Sequence, residues 1–130
     1  MFRTDSYDLR SEKIKSPVKI VMLADLHNHV YGEHNEILLG EIEKISPDFV
    51  CLAGDMLIGN SQIPYDAAQE TVMALATEYP VFYGLGNHEA RMNTDRGNYG
   101  TLYDDYMEPL KSMGVQVLVN EHAFIHVGNN

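Results

Sequence analysis

The tightest constraint on the fold of this chain is a regular alternation of short apolar runs with helical patterns. Val18 to Ala24 (Val-Lys-Ile-Val-Met-Leu-Ala) reads as a strand rich in β-branched residues. Leu38, Ile42 and Ile45 then fall on one helical face, with Asn35 placed to cap the start and Pro47 to stop the helix. Phe49 to Ala53 is a second, nearly continuous apolar strand, of the kind that parallel sheets cover on both faces. Ala68, Val72, Leu75, Ala76 and Tyr79 mark a second helix, ended by Pro80. Val81-Phe82-Tyr83 begins a third strand, and a polar loop is expected from Gly86 to Gly100. Leu102, Tyr106, Leu110 and Met113 mark a third helix, stopped at Gly114. Val115 to Val119 is a fourth strand and Ala123 to Val127 is expected to be a fifth. Tyr7 to Ile14 is expected to add an edge strand.

This order, β-α-β-α-β-α-β, predicts an α/β fold with a mostly parallel sheet and right-handed βαβ crossovers. Asp25, Asp55 and Asn87 recur about one βαβ unit apart. Each therefore falls just past the C-terminal end of a strand, the edge at which open α/β sheets bind ligands.

Three short segments at those edges carry candidate chemistry: Asp25-Leu26-His27, Gly54-Asp55 and Gly86-Asn87-His88-Glu89. On an extended chain Asp25 and His27 point to the same side and reach one ion together. Carboxylates, an imidazole and an amide oxygen are donors that suit Mn²⁺, Zn²⁺ or iron. The formal net charge of −10 argues against general nucleic-acid binding but not against an anionic substrate, because bound cations reverse the local field. One cysteine, Cys51, excludes an internal disulfide, and its place in an apolar strand predicts a buried, inert thiol. The N-terminus lacks an apolar signal region and no run is long enough to span a bilayer, so the expected compartment is the cytoplasm.

In these three motifs the sequence resembles the calcineurin-like metallophosphoesterases, whose pattern is D-x-H, then G-D, then G-N-H-E, then later histidine motifs ending in G-H-x-H. The resemblance implies two divalent metal ions, with Asp25 and His27 on the first, Asp55 bridging both and Asn87 on the second. His88 would stay off the metals as general acid or transition-state stabiliser. The implied activity is phosphoester hydrolysis, in which a hydroxide activated between the cations attacks phosphorus.

No G-H-x-H occurs before Asn130, and His122 and His126 stand in a different context. Residues 1–130 thus match only the N-terminal half of the family's domain, a four-layered α/β/β/α sandwich whose other half supplies most of the second sheet. An apolar sheet face is expected to lie uncovered. The competing expectations are a non-catalytic scaffold, or a half-domain completed by self-association or by a complementing chain. Around the motifs, Glu89 is expected to be structural. Arg91, whose planar guanidinium suits phosphate, and His29 are the candidate substrate-binding residues, with a solvent-facing position the simpler expectation for both. The pair Asp104-Asp105 reads as a solvated helix face.

Overall fold

A computed structural model describes residues 1–130. Four strands form one parallel sheet in the order β1-β2-β3-β4: β1 (Ile20–Leu23), β2 (Phe49–Leu52), β3 (Val81–Gly84) and β4 (Gln116–Leu118). The connections carry α1 (Glu36–Ile45), preceded by a 3₁₀ turn at Glu33–Asn35, then α2 (Asp66–Glu78), α3 (Asn87–Thr94), α4 (Arg96–Tyr99) and α5 (Leu102–Ser112). Each crossover steps one strand in the same direction. With one crossover hand, such stepping lays every helix on the same face of the sheet.

Burial follows that geometry. The row Val21, Val50, Val81, in register across three strands, is buried beneath the helices. The alternate row, Met22, Cys51, Phe82, Gln116, faces the other way. There Met22 is 71% exposed and Ile20 54%. Phe82 is half-buried and packs edge-on against Phe49, ring centroids 5.7 Å apart. Runs that read as covered on both faces are therefore covered on one, and the expected open apolar face is present. Cys51 lies on that face, half-buried rather than in the core, and desolvation pushes its thiol up.

Two helices are joined through a proline. Pro109 lies inside α5 and has no N–H to give the carbonyl of Asp105. Gln69 of α2 takes up that carbonyl: its Nε2 donates to Asp105 O at 3.2 Å and to Tyr106 O at 3.0 Å. Asn35 does precede α1, but its side chain does not cap it. Its carboxamide instead accepts from Tyr31 N and donates to His29 O and to Thr71 Oγ1 at 2.7 Å, pinning the loop after β1 onto α2.

Three further expectations differ from the structure. Residues 86–100 hold α3 and α4 rather than a loop. Ala123 to Val127 forms no strand, and Phe124 is 87% exposed. Tyr7 to Ile14 forms no strand either, with Tyr7 and Leu9 open to solvent. A strand needs a neighbour to satisfy its backbone, and neither segment has one here. No helix is long and apolar enough to cross a membrane.

Candidate metal centre

The loops after β1 and β2 run on beyond the sheet as a hydrogen-bonded pair. Ala53 N donates to Leu23 O, Asp25 N to Gly54 O, His27 N to Asp55 O and Asn28 N to Met56 O. Leu26, Met56 and Leu57 are buried, anchoring the polar residues beside them. The two loops are not extended. Asp25, His27, Asn28 and Asp55 all have positive φ, between 47° and 60°. That backbone is uncommon for side-chain-bearing residues and clusters at functional sites. Asp25 and His27 thus meet through left-handed turns, not through the alternation of a strand.

The third loop locks onto the second. Gly54, at φ 92°, and Gly86 are in backbone contact, and a Cβ on Gly54 would overlap Gly86 while one on Gly86 would overlap Asp55. Glu89 is fully buried in the first turn of α3. Its carboxylate accepts from Asp55 N (2.9 Å), Met56 N (3.0 Å), Gly86 N (3.0 Å) and the Tyr83 hydroxyl (2.6 Å). Four donors compensate a charge taken out of water. Tyr83 in turn meets the Tyr106 hydroxyl at 2.8 Å. Burial pushes both phenols up, with Glu89 and the neighbouring ring adding to Tyr83. Asp55 Oδ1 accepts the His88 N–H at 2.9 Å, a cap on α3 supplied from another segment.

The side chains converge on one rim. Ligand atoms of His27, Asp55 and His88 all lie within 4.8 Å of one another. His27 Nε2 is 3.9 Å from Asp25 Oδ1 and 4.0 Å from Asp55 Oδ2. The rings of His27 and His88 pack edge-on at 5.3 Å. Asn87 opens α3 with its side chain exposed, adjacent in the chain to His88. Asp25 is 70% exposed at its side chain and Asp55 only 15%, so the carboxylate expected to bridge is the enclosed one.

The remaining candidates lie around this cluster. Arg91 is exposed and directs Nη2 at His88 Nδ1, 3.1 Å away. The ring of His29 stacks on Tyr31 at 6.0 Å, outside the three-residue cluster. Asp104 pairs with Arg96 at 2.6 Å, which lowers its carboxyl, rather than standing as a bare solvated acid. Glu89 is structural, as expected, and its target is the backbone of the Asp55 loop. In the loop after β2, the Gly59 N–H donates to His88 Nδ1 at 2.9 Å. The donor is a backbone group and names no partner, so the sequence does not point from residue 59 to His88.

A parallel sheet whose strand ends gather D-x-H, G-D and G-N-H-E defines a metallophosphoesterase-type domain. The chain belongs to the calcineurin-like phosphoesterase family, whose model matches residues 18–129. Among curated proteins it is similar to phosphodiesterase YaeI of Escherichia coli, 30% identical over 118 residues that make up 88% of this chain and 41% of that protein. It is also similar to the uncharacterized metallophosphoesterase Cj0846 of Campylobacter jejuni, 32% identical over 88 residues, 65% of this chain and 23% of that one. The chain thus spans less than half the length of either relative.

Proposed function

We propose that this chain supplies the N-terminal half of a metal-dependent phosphoester hydrolase, with Asp25, His27, Asp55 and Asn87 as ligands to two divalent cations. The convergence of His27, Asp55 and His88 within 4.8 Å, with Asp25 beside His27, carries this reading. The donor set fits such ions. It combines carboxylate, imidazole and amide oxygen without thiolate, and suits Mn²⁺, iron or Zn²⁺. When bound, the cations would neutralise phosphoryl charge and activate water.

The chain's own residues do the rest. Asp55 Oδ1 is engaged by the His88 amide, so Oδ2 is the oxygen available to cations. Glu89 holds that carboxylate in place through the backbone of residues 55 and 56. His88 presents a ring beside the ligands, in place to donate a hydrogen bond to a phosphoryl or leaving oxygen and stabilise the transition state. The name of YaeI makes a phosphodiester the substrate class to assay first.

Elemental analysis after loading with Mn²⁺ tests the ligand assignment. Asp55→Ala is expected to lose most of the bound metal and His88→Ala little; equal loss in both counts against it. The open apolar face supports the companion reading that catalysis needs a second layer from further polypeptide or another chain. The pure 130-residue chain is then expected to bind Mn²⁺ weakly and to hydrolyse bis(p-nitrophenyl) phosphate at trace rates. Robust turnover by a pure monomer would refute that dependence.

A further inference from the structure

His88 is held by two donors on one ring nitrogen. The Gly59 amide donates to Nδ1 at 2.9 Å, and Arg91 Nη2 donates to the same atom at 3.1 Å. A backbone N–H and a guanidinium have no lone pair to offer in return. A proton on Nδ1 would face N–H groups from both, so Nδ1 must present its lone pair. The neutral ring then carries its proton on Nε2. Gly59 is buried, and the ring is the partner that satisfies its N–H. The approach also requires glycine: a Cβ at residue 59 would sit 2.9 Å from the carbonyl oxygen of His88.

We infer that Gly59 and Arg91 are positioning residues that fix the tautomer of His88 and aim its Nε2–H into the metal centre as a hydrogen-bond donor. This rests on the two-cation reading above and deepens it, because it separates the roles of two histidines that geometry alone leaves alike. An imidazole that binds a metal gives the ion one lone pair, and its other nitrogen carries an N–H that donates to a carbonyl or carboxylate. His88 has the reverse arrangement, since its far nitrogen accepts twice. His88 therefore stands beside the cations as a donor to a phosphoryl or leaving oxygen, although its ring lies within 4.8 Å of the His27 and Asp55 ligand atoms. Arg91 acts through His88, and the backbone of residue 59 does the same.

The test is ¹⁵N NMR of the histidine rings in the labelled 130-residue chain, recorded without metal at a pH where the rings are neutral, and again with Zn²⁺. The expected spectrum shows a pyridine-type Nδ1 and a pyrrole-type Nε2 for His88. Zn²⁺ is expected to shift a ring nitrogen of His27 while His88 Nε2 keeps its proton. In Gly59→Ala/Arg91→Met the two His88 nitrogens move toward the averaged positions of a free imidazole. Arg91→Met alone moves them part of the way and serves if the double variant does not fold. A pyrrole-type Nδ1 in the parent chain overturns the inference, as does loss of the Nε2 proton on adding Zn²⁺. Unchanged nitrogens in both variants overturn it too. The tautomer is recorded before any metal is added, so failure of Zn²⁺ to bind would sink the metal centre separately.

Discussion

The carboxylate of Glu89 accepts the backbone N–H of Asp55 at 2.9 Å, while the Asp55 side chain accepts the N–H of His88, the residue preceding Glu89, also at 2.9 Å. The two acids thus clasp each other's loops, and the enclosed carboxylate of the metal centre depends on a buried one behind it. Neither bond survives a shift of α3 relative to the loop after β2. Shape and ligand geometry are therefore coupled at this point of the fold.

Glu89→Gln tests the clasp. The glutamine amide would turn N–H groups toward donors that now meet a carboxylate, leaving at least one buried donor unpaired. Stability is expected to fall by about 2–4 kcal/mol. Metal affinity is expected to fall by roughly 10–100-fold, as for other groups that orient ligands. Urea unfolding and Mn²⁺ titration measure the two effects, and retention of both within error would refute the role.

Alkaline pH tests the buried tyrosine pair. Burial raises the phenols of Tyr83 and Tyr106 above the ordinary value of 10.0. A group with a raised folded-state pKa contributes stability that is present below the unfolded pKa and lost as pH climbs toward the folded one. Stability is thus expected to be flat up to about pH 10 and to fall above it, by at most about 1.4 kcal/mol per pH unit for each tyrosine. Denaturant midpoints from pH 8 to 11 measure the slope. Tyr106→Phe should make it shallower, and an unchanged slope would show that Tyr106 does not contribute.

Gln69 and Pro109 form a second testable pair. Gln69→Leu leaves the Asp105 carbonyl without its side-chain donor and is expected to cost about 1–2 kcal/mol. In a Pro109→Ala background, residue 109 regains an N–H for that carbonyl, and the cost of Gln69→Leu should shrink. A double-mutant cycle reads the coupling, and strict additivity would argue against it.

The open sheet face makes a prediction about solution behaviour. With Met22 and Ile20 exposed on the sheet face that also carries Phe82, the isolated chain is expected to bind a hydrophobic dye and to self-associate as concentration rises. Met22→Lys should reduce both without loss of helical circular dichroism. Light scattering that finds a monomer at every concentration, with no dye binding, would count against an adhesive face.

The sequence by itself determined the repeating βαβ units, because apolar periodicity and the stops at Pro47, Pro80 and Gly114 are local properties of the chain. It also placed Asp25, Asp55 and Asn87 at successive strand ends, since one unit separates each from the next. Segments whose structure depends on neighbours were not legible. Ala123 to Val127 has the composition of a strand but nothing to pair with, and Gly86 to Gly100 reads as polar loop although Glu89 and the Asp55 carboxylate nucleate α3 there. Only the tertiary structure decided that Asp25 and His27 meet through left-handed turns, that Glu89 serves the Asp55 backbone, and that Gly59 and Arg91 share one nitrogen of His88. The Glu89–Asp55 and Gly59–His88 contacts join residues about 30 positions apart in sequence through backbone groups. A backbone N–H is the same in every residue type, so its partner is settled by where the chain brings it.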